Sequence, residues 1–373
     1  MIDRYILRQL LVAAAIGLAL LIFAIWLTQS LRFIEVLTKS QAGAGALFML
    51  VFLAMPELIG SVLPYAVGGA ALFVYALLAG NAEIVVMRAA GRGPFALARP
   101  AIVLALVVLV AHMALNLLAI PVARGEFRDL RLRIETEFAA AVLREGTFND
   151  IEDGLTVYVR ERRQDGTMGG ILVHDTRDPE QDVSILAERG ELVSGEGGPE
   201  ILLSEGSLQT RETGAETPDI LYYDSYTFAL DLGGNPLRTW REPDERFIGD
   251  LLSPSDADQL DADAIRHLQA WGHQRLSTPL LSLAFVSLVV GALFFGQTNR
   301  RGQTGRMIVA VGGMITLQAA MILFFSLAAE ASVAAAGLYA APGLAIVGGL
   351  AAMILPARTR RSPRAGEEVP APA

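Results

Sequence analysis

The chain has 373 residues, 53% of them hydrophobic, with no cysteine and a formal net charge of −9. The charge is unevenly placed, since residues 122–265 hold 32 of the 39 acidic residues against 14 arginines and leave the remainder basic and strongly apolar. A single soluble globule is excluded, because only lipid tolerates uninterrupted apolar helices at this density, and an outer domain built on disulfides is excluded by the missing cysteines.

Charge-free runs mark the crossings. Arg8 and Arg32 are separated by 23 uncharged residues, Glu57 and Glu83 by 25, and Arg99 and Arg124 by 24. After the acidic middle the gaps are 24 between Arg275 and Arg300, 23 between Arg306 and Glu330, and 27 between Glu330 and Arg358. About 20 apolar residues span the hydrocarbon layer as a helix, so each gap fits one crossing. The predicted fold is therefore a membrane α-helical protein of six transmembrane helices with a domain inserted between the third and fourth. The boundaries are 1–121 for the first transmembrane half, 122–265 for the insert, 266–356 for the second half, and 357–373 for a disordered cytoplasmic tail. The first run is too long for a signal-peptide core, and Thr28-Gln29-Ser30-Leu31-Arg32 offers no small-residue cleavage site, so it is read as retained. With both termini in the cytoplasm, 12 basic residues fall inside while the short outer loops carry Arg32 and Lys39, the asymmetry of the positive-inside rule. The acidic insert then lies outside.

Within the first half, Pro56 and Pro64 are expected to kink or break the second span, since each lacks an N–H and crowds the preceding turn. Between the second and third spans, Asn81 to Pro94 predicts a short inside helix near 82–90. Asn81 is its expected cap, and Gly91 and Pro94 are its expected stop. Ile84 and Met87 share its apolar face. Glu83 suits the helix N-terminus, and the alternative is a coupling helix that seats this stripe on a cytoplasmic ATPase. In the third span, His112 and Asn116 lie one turn apart and are read as helix-to-helix hydrogen-bonding groups, with a polar contact along a substrate path as the alternative.

The insert reads as β-structure. Alternation runs through Leu155–Val159, Ile171–Val173, Val183–Leu186, Ile201–Leu203 and Leu221–Leu230, punctuated by glycines. A Glu-Gly pattern recurs in Leu143-Arg144-Glu145-Gly146-Thr147-Phe148, Leu186-Ala187-Glu188-Arg189-Gly190-Glu191-Leu192 and Leu203-Ser204-Glu205-Gly206-Ser207-Leu208. Strand-turn-strand units at such intervals predict an all-β, jelly-roll-like sheet. Its expected apolar face comprises Leu155, Val157, Val159, Ile171, Val173, Ile185, Leu203, Tyr222 and Phe228, residues that would serve a lipid groove or a sealed core equally. Residues 124–140 and 254–270 read as helical connectors, with Ser255 or Asp256 capping the second.

Catalytic chemistry is hard to find. The four histidines form no metal-ligand spacing, so neither metal nor other cofactor is expected, and Asp150, Glu152 and Asp153 read as a solvated turn. The chain's one lysine, Lys39, has no glycine-rich loop before it, which excludes a Walker A site and leaves any uphill transport to a partner or a gradient.

Several motifs resemble the LptF/LptG lipopolysaccharide export permeases. These are Asp3-Arg4-Tyr5-Ile6-Leu7-Arg8, Met55 to Ala66 with its two prolines, Glu83 with Arg88-Ala89-Ala90-Gly91, Glu145 to Asn149, and Arg300-Arg301-Gly302-Gln303. The resemblance covers nearly the whole chain, and Gly146-Thr147-Phe148 with His174-Asp175 is closer to LptF than to LptG. It implies a non-catalytic permease of the bacterial inner membrane with residues 122–265 periplasmic, working with a paralogous LptG-like permease, a dimer of the ATPase LptB, and LptC. The substrate would be lipopolysaccharide, passed to a periplasmic bridge toward the outer membrane, with membrane lipids around the spans and no nucleic acid involved. Glu83, Ile84, Met87 and Arg88 become the ATPase-coupling candidates. Arg32 and Lys39 are candidates for lipid phosphate or for interfacial anchoring, and the apolar sheet residues are candidates for the acyl-chain path. From the residues alone, a membrane-tethered envelope sensor or scaffold is the alternative, and an envelope-lipid enzyme lacks a convergent catalytic set.

Overall fold

The computed structural model describes residues 1–39, 44–152, 154–163, 166–178, 181–195, 198–212, 217–230, 242–254, 260–294 and 303–354. Four helices come first: α1 (Ile2–Lys39), α2 (Ala44–Gly80), α3 (Glu83–Ala89) and α4 (Pro94–Ala114). A π-helical turn, Leu115–Ala119, leads into α5 (Ile120–Val142). Six strands follow, β1 (Phe148–Glu152), β2 (Leu155–Arg162), β3 (Met168–Asp175), β4 (Gln181–Gly195), β5 (Gly198–Glu212) and β6 (Asp219–Ala229). The chain then returns to helix with α6 (Ile248–Leu252), α7 (Ala262–Ser277), α8 (Leu280–Phe294), α9 (Gln303–Glu330) and α10 (Ala335–Ile354). Two compact units result, one of Met1–Ile25, Glu57–Ala119 and Phe247–Ala373, the other of Trp26–Pro56 and Ile120–Arg246.

Among the described residues five helical stretches are long and apolar enough to cross a membrane, and the pair α7 and α8, bent by 49° at its break, makes a sixth when counted as one span. The break has a local cause. Pro279 has no N–H to give the carbonyl four residues back, which is that of Arg275. That carbonyl accepts instead from Asn116 Nδ2 at 3.1 Å, so the side chain on the π-turn supplies a donor that Pro279 lacks. Arg275, expected to mark a span boundary, is buried inside α7. Helix α2 runs unbroken through Pro56 and Pro64.

Helix α8 is the centre of the helical unit, with Phe285, Val286, Val289 and Val290 fully buried. It meets α10 backbone to backbone. A Cβ added at Gly349 would lie 2.3 Å from the Ser287 carbonyl oxygen, so no side chain fits there.

The six strands form one antiparallel sheet in sequence order, each strand paired with the next. The expected all-β insert is thus a meander, without the crossing connections of a Greek key. Its inner face gathers Leu155, Val157 and Val159 of β2, Ile171 and Val173 of β3, Ile185 of β4, Ile201 and Leu203 of β5 and Phe228 of β6 into one core. Helix α5 packs beside β4 and β5, and Leu143, just after it, enters the same core.

Alternation is interrupted along a line across the sheet. In β3 the buried series Val173, Ile171, Gly169 ends in two adjacent buried residues, Gly169 and Met168, in β4 it steps from Ala187 to Gly190, and β5 turns inward at Leu203 and again at Leu208. Gly170 and Glu205 on this line have positive φ, 63° and 57°. Arg189 pairs with Glu205 across the strands, and the Tyr223 hydroxyl donates to the Leu186 carbonyl at 3.0 Å beside Gly206. The second and third copies of the Glu-Gly pattern thus fall on a crease, the line where the strands change facing.

The first copy does different work. The Asn149 side chain donates to the carbonyls of Arg144, Thr147 and Val157 at 3.1–3.2 Å and accepts from the Arg144 N–H. Gly146 N–H bonds the Val159 carbonyl at 2.8 Å, fixing the turn that leads into β1.

Candidate functional site

The short helix α3 carries the first group of candidate residues. It starts at Glu83 behind Ala82, whose φ is 61°, and no side chain caps it, so the expected Asn81 cap is not formed. Its end follows expectation. Gly91, at φ 84°, donates to the Arg88 carbonyl and Arg92 N–H donates to that of Met87, the paired bonds of a Schellman stop.

The stripe assigned from sequence to a partner faces the chain's own core. Ile84 is buried in the cluster that holds Ile6, Leu10 and Phe294, and Met87 packs against it. The Arg88 guanidinium sits 5.6 Å from the Phe294 ring centroid. Glu83 Oε2 accepts from the Tyr5 hydroxyl at 3.1 Å. Ile84, Met87 and Arg88 are thus corrected from outward contacts to inward ones, because the apolar side of an isolated two-turn helix is claimed first by its own protein. The outward apolar surface is Val85 and Val86, exposed to 49% and 67%. Periodicity alone could not have found them, since both faces of α3 carry apolar residues.

The second group belongs to the inner face of the sheet. Eight of the nine residues assigned to it lie together in one core, buried to 9% exposure or less. Tyr222 is the exception and the correction, 80% exposed on β6, where its neighbours Ile220 and Leu221 are exposed too. The crease explains the miss, because counting back by twos from Phe228 passes the line opposite Glu205 and changes sides; Tyr223 packs on the core instead. At the far end of β3, hydrogen bonds from Arg177 to both carboxylate oxygens of Asp175 hold that carboxyl below its usual range.

Arg32 and Lys39 lie in α1, and their side chains fall outside the described residues, as do the Arg300-Arg301-Gly302 loop, the tail beyond residue 354, and the proposed caps Ser255 and Asp256. Helix α7 begins instead behind Asp261. Among the described residues no group of three or more histidines and carboxylates could hold a metal ion. The two candidate sites offer a contact surface and an apolar interior, with no nucleophile and base brought together.

Residues 4–355 match the family described as "Lipopolysaccharide export system permease LptF/LptG". The chain belongs to the LptF/LptG family. That match takes in both helical halves and the sheet between them. An uncharacterized protein of Rickettsia prowazekii (strain Madrid E) is 25% identical over 270 residues, covering 71% of this chain and 74% of its own length. As a member of the LptF/LptG family, the chain is a multi-pass membrane protein with an inserted β domain. The family description does not separate the two paralogues.

Proposed function

We propose that this chain is the LptF-like permease subunit of an ABC transporter that takes lipopolysaccharide from the bacterial inner membrane toward a periplasmic bridge. The carrying observation is the family match over residues 4–355. In this reading both termini are cytoplasmic, residues 122–265 are periplasmic between transmembrane halves at 1–121 and 266–356, and 357–373 are a cytoplasmic tail. ATP is hydrolysed by an LptB dimer that docks on α3. The exposed Val85 and Val86 support that contact, with Glu83 and Arg88 holding the helix from behind. Arg32 and Lys39 serve lipid phosphates near the outer face of the membrane. The acyl chains follow the sheet's inner face through Leu155, Val157, Val159, Ile171, Val173, Ile185, Leu203 and Phe228. An LptG-like permease completes the membrane unit. LptC adds a strand to β6, which is the last strand of the sheet among the described residues and carries exposed Ile220, Leu221 and Tyr222.

The test is co-purification of the tagged full chain with its partners, followed by ATP-driven release of lipopolysaccharide from proteoliposomes. Val86→Glu, which places a charge on the outward face of α3, is expected to weaken ATPase association at least tenfold, about 1.4 kcal/mol. Export at the normal rate by a complex lacking any ATPase would end the proposal.

A further inference from the structure

Both ends of α3 are tied to the start of α1. At the front, Tyr5 donates to Glu83 at 3.1 Å. Behind, Arg92 Nη1 pairs with Asp3 Oδ1 at 3.0 Å, and the Arg92 backbone N–H is itself part of the stop that ends α3. Between these contacts Ile84 shares a core cluster with Ile6 and Leu10, which are the buried side chains of α1 among the described residues. A helix tied at both ends to one neighbour cannot shift without moving that neighbour or breaking both ties.

We propose that Asp3–Arg92 and Tyr5–Glu83 clamp α1 onto α3, so that displacement of α3 by a cytoplasmic ATPase is carried directly into the first membrane span. This rests on the permease reading for its driving force, whereas the clamp itself is a property of the single chain. Asp3, Tyr5 and Arg92 are positioning residues in this scheme. Coupling then runs through contacts that exist before the partner binds, as a transmission element requires. The ion pair is 34% and 44% exposed, and exposed pairs add little to stability, so charge reversal is expected to leave the chain folded.

The chain has no cysteine, so introduced cysteines at Leu11 on α1, Ala90 after α3 and Ile308 on α9 label single sites. In the purified full chain without partners, the Leu11-to-Ala90 spin-label distance is expected to be narrow. It should broaden in Asp3→Arg and in Arg92→Asp, and narrow again in the doubly swapped chain. Unchanged distributions in both single variants would overturn the clamp. With ATPase and ATP added, Leu11 and Ala90 are expected to shift together relative to Ile308. Lipid released per ATP hydrolysed should fall about fivefold or more in each single variant and recover in the swap. Movement of Ala90 with Leu11 left in place would overturn the transmission. Failure of any ATPase to bind would sink the permease reading and the transmission with it, while the partner-free distances would still report on the clamp alone.

Discussion

Asn116→Leu removes the donor that reaches the Arg275 carbonyl, and its cost is set by Pro279. Side-chain hydrogen bonds between membrane helices average about 0.6 kcal/mol and reach about 1.7, because a freed group usually finds another partner. Here the ordinary alternative, an N–H four residues on, does not exist, so the loss should lie toward the upper end of that range. Pro279→Ala restores that N–H. In this background Asn116→Leu should cost no more than the average bond, leaving a coupling energy of about 1 kcal/mol between residues 163 positions apart in sequence. Reversible unfolding of the full chain in mixed micelles, run as a double-mutant cycle, measures this. Equal losses with Pro or Ala at 279 would show that the carbonyl has another donor, and the account of the broken span would fail.

Three further outcomes are expected. Leu203→Ala should cost about 2–5 kcal/mol and Leu202→Ala, one residue away on the outer face, within about 0.5, read as the change in hydrogen exchange of β4 and β5 in the full chain; comparable costs would refute the assignment of faces. Gly349→Ala should loosen the α8–α10 contact by about 1–3 kcal/mol because the obstructing atoms are backbone, whereas Gly348→Ala, with nothing nearby, should leave thermal stability unchanged. Asp175 titrates below its ordinary value through its bonds with Arg177, so its stabilisation is complete above the unfolded carboxylate range and is lost as pH falls through the depressed value. Arg177→Ala should raise that titration and shift acid-induced exchange of the β2–β3 hairpin to higher pH, and an unshifted profile would remove the pair from the account.

The spans were legible because charge is so costly in lipid that its spacing alone reports crossings. Helix α8 was the exception, since a charge-free gap cannot show that Thr278-Pro279 breaks the helix inside it, although that dipeptide was the available signal. The inner face of the sheet was legible strand by strand until the crease, where period-two counting changed sides and placed Tyr222 wrongly. The Glu-Gly repeats were visible in the sequence, but their role depends on neighbouring strands lying in register, which no local pattern contains. Helix α3 was found with its end correctly placed. Its facing was not, because the choice between core and partner is made by α1 and α8, far away in the chain.

The interior of the sheet has a consequence for how a permease of this family behaves when idle. The eight inward residues assigned from sequence, from Leu155 to Phe228, pack against other side chains of the domain itself with exposure of 9% or less, so the described inner face is filled by the chain's own hydrocarbon. If acyl chains travel here, they must enter by substitution, each methylene taking the place of a valine or leucine contact that the sheet gives up as it opens. The two packings would then be close in free energy, since one hydrocarbon surface is exchanged for another. Such a domain is its own stopper. It would resist fouling by stray fatty acids between transport events, and it would reclose without outside work once the cargo had moved on.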